Sequence, residues 1–433
     1  MSTLIQGGKE SHARANRLHP AGESPFEYGS NPLRLSGKDW LAVAVLLAVA
    51  LPLILQGWPR LETISWYARQ VPPAPISASP LSSSQDDASP ETSSLTEPPV
   101  HHVEHTGPAD YRVPFRISND FWSYTRWCQS AAAKYRVLVV GDSTIWGYYV
   151  ESRDALPQCL NRLAGADCHA NMGLSGLHDM AMFGLLRHFG EAITGKKVLL
   201  HFDPLWMNSE ESDLRGEKEF HFQDEELAPQ FSPSLKCYRA DVETRLTRFI
   251  GQHSPLSSLT THILACYFDN TNLNEWMMSH PDKNPWRQVT FDVPWSGESA
   301  YEIESAANGG AAEPLVWSAK IKKPKDYPWV MPSESLQWGF FREVVALLRS
   351  RNNEVFVMVG PFNPYALTPA SLHRYRVLTA EVVEWLGASG VPHFLVPDLP
   401  TGEYGDVSHP LKQGYVRIAE ALYNDPSFKA WSN

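Results

Sequence analysis

The chain has 433 residues, of which 43% are hydrophobic and 11% aromatic, so it exceeds one ordinary domain and can bury a substantial core. Its formal net charge of -11 and its lack of a basic run exclude a general nucleic-acid binder, which needs a basic face to neutralise phosphates. Cys128, Cys159, Cys168, Cys237 and Cys266 form no CxxC pair and no zinc-like Cys/His spacing, which speaks against a structural metal. In an oxidising compartment Cys159 and Cys168 are the nearest pair for a disulfide; the odd count leaves at least one thiol, and spacing does not decide the pairing.

Residues 1–39 are polar, with Pro20, Pro25 and Pro32 and no apolar periodicity, and read as a disordered tail. Residues 40–58, WLAVAVLLAVALPLILQGW, carry no formal charge and are bracketed by tryptophans, a composition and length suited to a single membrane span. Lys9, Arg14, Arg17, Arg34 and Lys38 precede the span, whereas Arg60 and Arg69 are the basic residues soon after it. The positive-inside rule then predicts a cytoplasmic N-terminus and an extracytoplasmic remainder, anchored without cleavage.

Residues 59–110 read as a linker, and within them 71–110 are rich in proline and serine with almost no large apolar side chains, as in a tether. Forty such residues span roughly 35 Å as a coil, enough to let a domain work near the membrane surface. His101, His102 and His105 lie in this stretch, where a solvated linker is the default and a metal the lesser alternative.

From residue 111 to 433 the composition is globular and strands alternate with helices. The runs 137–140, 168–172, 198–202, 355–359 and 394–396 are short and apolar, as expected of a parallel sheet buried on both faces. Helical patterns occupy about 177–192, 333–351, 370–388 and 411–424. The fold class expected is α/β, a three-layer α/β/α sandwich with a mostly parallel, flavodoxin-like sheet. The alternation breaks over 206–333, too long for a loop, which predicts an insertion with its own structure. Trp206, Trp276, Trp286, Trp295, Trp317 and Trp329 fall there, either as core of the insertion or as a platform for a sugar or lipid.

The stretch RVLVVGDSTIWG, 136–147, ends a β-branched run in Gly141-Asp142-Ser143. A serine hydroxyl needs an imidazole to take its proton and a carboxylate to orient that imidazole. Asp406 and His409, in the loop after the last strand, supply both types, and in a parallel sheet the two loops emerge on the same edge. Separately, GDS reads as a helix cap and DxxH as a surface loop; their placement at opposite ends of one α/β domain makes the pair specific. A dinucleotide site is excluded, because the turn after the first strand is GDSTIWG and not GxGxxG. No cofactor is called for.

Through GDSTIWG, NMGLSG (171–176) and DVSHPLKQGYVRIAEAL (406–422), the sequence resembles the SGNH (GDSL-like) hydrolase superfamily over roughly 134–205 and 335–424. The resemblance implies Ser143 as nucleophile, His409 as general base, Asp406 as its partner, and Gly176 as an oxyanion donor through its N–H. Gly176 fits a helix-opening glycine equally well. Family members carry Gly-x-Asn-Asp after the third strand, the asparagine completing the oxyanion hole. Here that stretch is HFDPLWMN, 201–208, and Asn208, the nearest amide, stands either as a displaced donor or as the first residue of the insertion.

The N-terminal anchor, the Asp-Pro-x-Trp at 203–206 and the Gly-Pro-Phe-Asn-Pro at 360–364 further resemble D-alanine-transfer proteins and alginate-type O-acetylation proteins. That resemblance implies an envelope glycan or polymer as acceptor and a membrane-bound O-acyltransferase as partner. Two function classes follow: an anchored serine acyltransferase or esterase, and a non-catalytic domain of this fold that binds a polymer or partner.

Overall fold

The computed structural model describes residues 110–115, 119–217, 225–287, 289, 316–320 and 323–432. All belong to one compact unit, Leu95–Asn433. The expected tail, the apolar segment 40–58, almost all of the tether and Trp295 lie outside the described residues. Among the described residues no helix is long and apolar enough to cross a membrane.

Among the described residues five parallel strands form one sheet: β1 Val137–Val140, β2 His169–Asn171, β3 Lys197–Phe202, β4 Glu354–Val359 and β5 His393–Leu395, in the order β2-β1-β3-β4-β5. The flavodoxin-like order expected from the sequence is thus the one observed. The helices are α1 Phe121–Lys134, α2 Ser143–Trp146, α3 Leu156–Ala164, α4 Asp179–His188, α5 Val242–His253, α6 Pro255–Tyr267, α7 Leu273–Ser279, α8 Trp317–Lys320, α9 Leu336–Ser350, α10 Pro369–Ala388, α11 Lys412–Asn424 and α12 Pro426–Ser432.

The period-two alternation of strand side chains divides the interior into two cores. Val137, Val139, Leu199, Phe356 and Met358 join Leu156, Tyr415, Ile418 and Phe428 of α3, α11 and α12 on one face. Leu138, Val140, Val198, Leu200, Val355 and Val357 join Tyr124, Leu185, Phe341 and Leu378 of α1, α4, α9 and α10 on the other. A strand buried on both faces has no reason to alternate in polarity, which is why these runs read as continuous apolar stretches. Helix starts follow capping chemistry: Ser335 accepts from Trp338 N at 3.0 Å, and Thr368 accepts from Ser371 N at 3.2 Å ahead of Pro369.

The interruption between β3 and α9 is helical in its described part, carrying α5 to α8. Leu214, Ala228, Leu235, Cys237 and Tyr238 make a small cluster of their own against Met180 and Phe340. Trp317 and Trp329 do not join it; they pack into the two cores of the sandwich, so they tie the end of the insertion to the body. All five cysteines are free thiols. The Cys159–Cys168 bridge is absent, because Arg162 donates to Cys159 Sγ at 3.0 Å while Cys168 Sγ sits 3.2 Å from its neighbour His169.

Candidate active site

β1 runs into Gly141, where the chain bends so tightly that a Cβ would come within 2.4 Å of Ile145 Cγ1 and 2.7 Å of His201 Cβ. Only glycine fits that approach. Asp142 then caps α2, its carboxylate accepting from Thr144 N at 2.9 Å, and Ser143 opens the helix. The buried Arg112 guanidinium closes the other end of this short helix, donating to Trp146 O at 2.7 Å, Gly147 O at 3.0 Å and Val150 O at 3.0 Å, and lies over the Trp146 ring. Asn171, at the end of β2, donates to Ile145 O at 3.0 Å. Four residues are too few for a self-sustaining helix, so these side chains supply what helix propagation cannot.

The loop after β5 folds back across the same sheet edge. Asp406 Oδ1 accepts from Ser408 N at 3.0 Å and His409 N at 2.8 Å, a turn that places the carboxylate beside its own imidazole. His409 Nδ1 donates to Asp406 Oδ2 at 2.7 Å, and Ser143 Oγ donates to His409 Nε2 at 2.7 Å. The three residues predicted from opposite ends of the domain therefore form one continuous hydrogen-bonded chain. Tyr149 OH donates to the same Asp406 Oδ2 at 3.2 Å, and the Tyr148 ring lies 5.2 Å from the His409 ring. Asn363, fully buried in the Gly-Pro-Phe-Asn-Pro loop, pins the acid from behind, donating from Nδ2 to Asp406 O at 3.1 Å and from its own N to Val407 O at 2.8 Å. Tyr415 of α11 donates to Thr144 O at 2.7 Å, clasping the helix that follows His409 to the one that Ser143 opens.

Burial alone would lower the pKa of His409; the Asp406 carboxylate against Nδ1, and Asp142 nearby, outweigh it and hold the value above the ordinary imidazole range. Burial likewise opposes charge on Asp406, but His409 and the two backbone N–H groups bring its pKa down to about 2. A carboxylate fixing Nδ1–H leaves Nε2 free to accept from the serine.

Beneath the serine lies a second buried group. His201 Nδ1 is 3.1 Å from Asp142 Oδ1, and His201 Nε2 donates to Gly360 O at 2.9 Å. Asp203, the first residue past β3, meets Asp142 carboxyl to carboxyl, while its Oδ1 accepts from Leu205 N at 2.8 Å. Burial and Asp142 together push the pKa of Asp203 far up, whereas His201 and His409 overcome burial to keep that of Asp142 low. Two charges side by side in this buried setting repel, so the pair favours holding one proton between its carboxyls. Asp179 is likewise raised, first by burial and then by Asp142.

Asn208 ends the turn Pro204–Met207; its N donates to Leu205 O at 3.1 Å and its Oδ1 accepts from Ser212 Oγ at 3.0 Å. These bonds belong to the start of the insertion, and it is Asp203 that the strand delivers to the serine turn. Gly176 has φ 78°, in the loop that follows β2. That loop packs against the serine turn, Leu174 N donating to Gly141 O at 3.2 Å, and a Cβ on Gly173 would come within 2.5 Å of Trp146 N. His201, Tyr149 and Arg112 were not singled out from the sequence, and Asp203 only as the first residue of Asp-Pro-x-Trp. A histidine near the end of an otherwise apolar strand was the one signal available for the first.

No family model matches the chain. No curated protein matches it either. Solved structures do: one is a family two carbohydrate esterase from Clostridium thermocellum in complex with cellohexaose, 12% identical, with a match covering 69% of this chain and 65% of that one at a TM-score of 0.30. This chain therefore spans just under two thirds of that esterase.

Proposed function

We propose that the domain is an SGNH-type serine enzyme, an acyltransferase or esterase, that moves O-acyl groups on a cell-envelope glycan or polymer through an acyl-serine intermediate. The observation that carries this reading is the unbroken Ser143–His409–Asp406 chain, with both links at 2.7 Å. In the first half-reaction Ser143 Oγ attacks the acyl carbonyl carbon as its proton passes to His409 Nε2. The tetrahedral intermediate collapses, the leaving group takes that proton, and the acyl group stays on Ser143 as an ester. In the second half a hydroxyl of the acceptor, or water, gives its proton to His409 and attacks the ester, returning Ser143 to its starting state. The N–H groups of Ser143 and Gly176 are the proposed oxyanion donors, with Asn208 left to the insertion.

The setting completes the proposal: anchorage through residues 40–58, an extracytoplasmic domain, and a membrane-bound O-acyltransferase as the source of acyl groups. The apolar composition of that segment and the basic residues before it support this. A second reading, a polymer-binding domain without chemistry, draws on the replacement of the family's Asn-Asp by Asp203-Pro204.

The deciding experiment treats the full chain with an organofluorophosphate probe and, separately, with an activated acyl ester. Labelling and acyl trapping at Ser143, both lost in Ser143→Ala, are expected. A folded chain inert to both reagents would establish the binding reading instead.

A further inference from the structure

Away from this site, Asp120, Ser123, His262 and Cys266 meet where the start of α1 touches α6. Asp120 Oδ1 caps α1 by accepting from Ser123 N at 2.9 Å, which is all that a helix cap requires. Its other oxygen is crowded. Ser123 Oγ at 2.7 Å, His262 Nδ1 at 2.6 Å and Cys266 Sγ at 3.5 Å all converge on Oδ2. One carboxylate oxygen has two lone pairs, so three converging donors exceed what it satisfies well. His262 and Cys266 are one helical turn apart on α6, and the sulfur lies 3.6 Å from Nδ1. Asp120 and His262 are fully buried, and Cys266 is partly exposed, which leaves a route in from solvent.

We infer that Asp120, His262 and Cys266 form a zinc site that fastens α6 of the insertion to the start of α1. Their three donor atoms lie within 4.8 Å of one another. From the separations 2.6, 3.5 and 3.6 Å, the point equidistant from all three lies about 1.9 Å from each. A cation about 0.9 to 1.3 Å out of that plane sits at about 2.1 to 2.3 Å, the range of zinc bonds to oxygen, nitrogen and sulfur. The chemistry matches too, since one carboxylate and one thiolate neutralise a divalent charge and a neutral imidazole completes a borderline donor set. Binding replaces the thiol proton of Cys266, which leaves to solvent, and His262 ligates through Nδ1 with its proton on Nε2. Ser123 Oγ, 3.2 Å from Nδ1, stands beside the open fourth position. The sequence hid this set because its members come from residues 120, 262 and 266, with no short motif joining them.

The test uses the full-length chain in detergent, stripped with a chelator and titrated with zinc or cobalt(II). One zinc per chain is expected, and cobalt should give a thiolate-to-metal charge-transfer band. Cys266→Ser should abolish that band and weaken zinc binding at least about a hundredfold, and His262→Gln should weaken it similarly. Far-ultraviolet circular dichroism of the stripped variants establishes that they are folded. A folded wild-type chain that takes up no zinc, or a Cys266→Ser chain that keeps the wild-type cobalt spectrum, would overturn the proposal and leave a hydrogen-bonded knot.

Discussion

His201 and Asp142 meet at 3.1 Å directly behind the candidate nucleophile, their side chains only 1% and 2% exposed. Through Gly360 O, the same imidazole ties the serine turn to the loop that carries Asn363, and Asn363 in turn holds Asp406. Removing one member of a buried polar pair leaves the other uncompensated. His201→Ala is therefore expected to cost on the order of 3 kcal/mol in denaturant unfolding and to lower kcat more than it raises KM. His201→Gln, which retains a donor toward Gly360, should recover part of both. Unchanged kcat in a folded His201→Ala chain would show that the serine turn holds itself.

Asp203 and Asp142 respond oppositely to amide substitution. Burial and Asp142 raise the pKa of Asp203 in the fold above that of an unfolded carboxyl, near 4, so its contribution to stability is full below that value and declines as pH rises toward the folded one. Asp203→Asn mimics the protonated acid and should raise Tm at neutral pH while leaving turnover within a few-fold. Asp142→Asn removes the anion facing His201 and should lower both. Thermal melts across pH 5–8 separate the two, and a Tm loss in Asp203→Asn would mean that Asp203 is ionised.

The pH profile follows from His409. A general base must be neutral, and its pKa is raised above the ordinary value, so the acid limb of kcat/KM should lie above pH 6.5. Stability runs the other way. The protonated pair contributes fully below the unfolded imidazole value and loses that contribution as pH climbs through the raised folded value. The share due to Asp406 is present above the unfolded carboxylate value and fades as pH falls toward about 2. Activity should therefore rise over the range in which the pair's stabilising charge is being lost, and an acid limb well below pH 6.5 would contradict the His409 assignment.

Asp406→Asn keeps the loop's shape but turns a donor toward Nδ1 or forces the other tautomer. A loss of about 10³ to 10⁴ in kcat is expected, with fluorophosphate labelling slowed to match. Tyr149→Phe removes one of several bonds to the same carboxylate and should cost about 1 kcal/mol or less in transition-state stabilisation. A larger loss in Tyr149→Phe than in Asp406→Asn would reverse their roles.

What the sequence disclosed divides along physical lines. β1, β3 and β4 were readable because both faces are buried, and their largely apolar runs leave little else to be; α10 and α11 were readable from their proline and apolar spacing. α1 and α3 were not, since in each a polar stretch interrupts the apolar pattern: Gln129-Ser130 in α1 and Asn161-Arg162 in α3. Ser143, Asp406 and His409 were singled out because a serine nucleophile would need those residue types on one sheet edge, and the fold joins them by hydrogen bonds. His201 and Asp203 act through a buried contact to Asp142 that has no sequence period, and Asn208 drew notice only as the nearest amide in number. Its backbone N and Oδ1 bond to Leu205 and Ser212 at the start of the insertion.

The Tyr415–Thr144 clasp has one more consequence. Thr144 adjoins the serine and Tyr415 lies on the helix that follows the histidine, so nucleophile and base are gauged against each other by a bond that does not pass through the insertion. The spacing of Ser143 and His409 is then set independently of the span between Asn208 and Trp317, even though residues such as Leu214 and Tyr238 pack on the body. If the proposed acyl transfer holds, acceptor preference and bond-making chemistry become separately exchangeable parts, and grafting a foreign insertion is expected to redirect the acyl group without silencing Ser143.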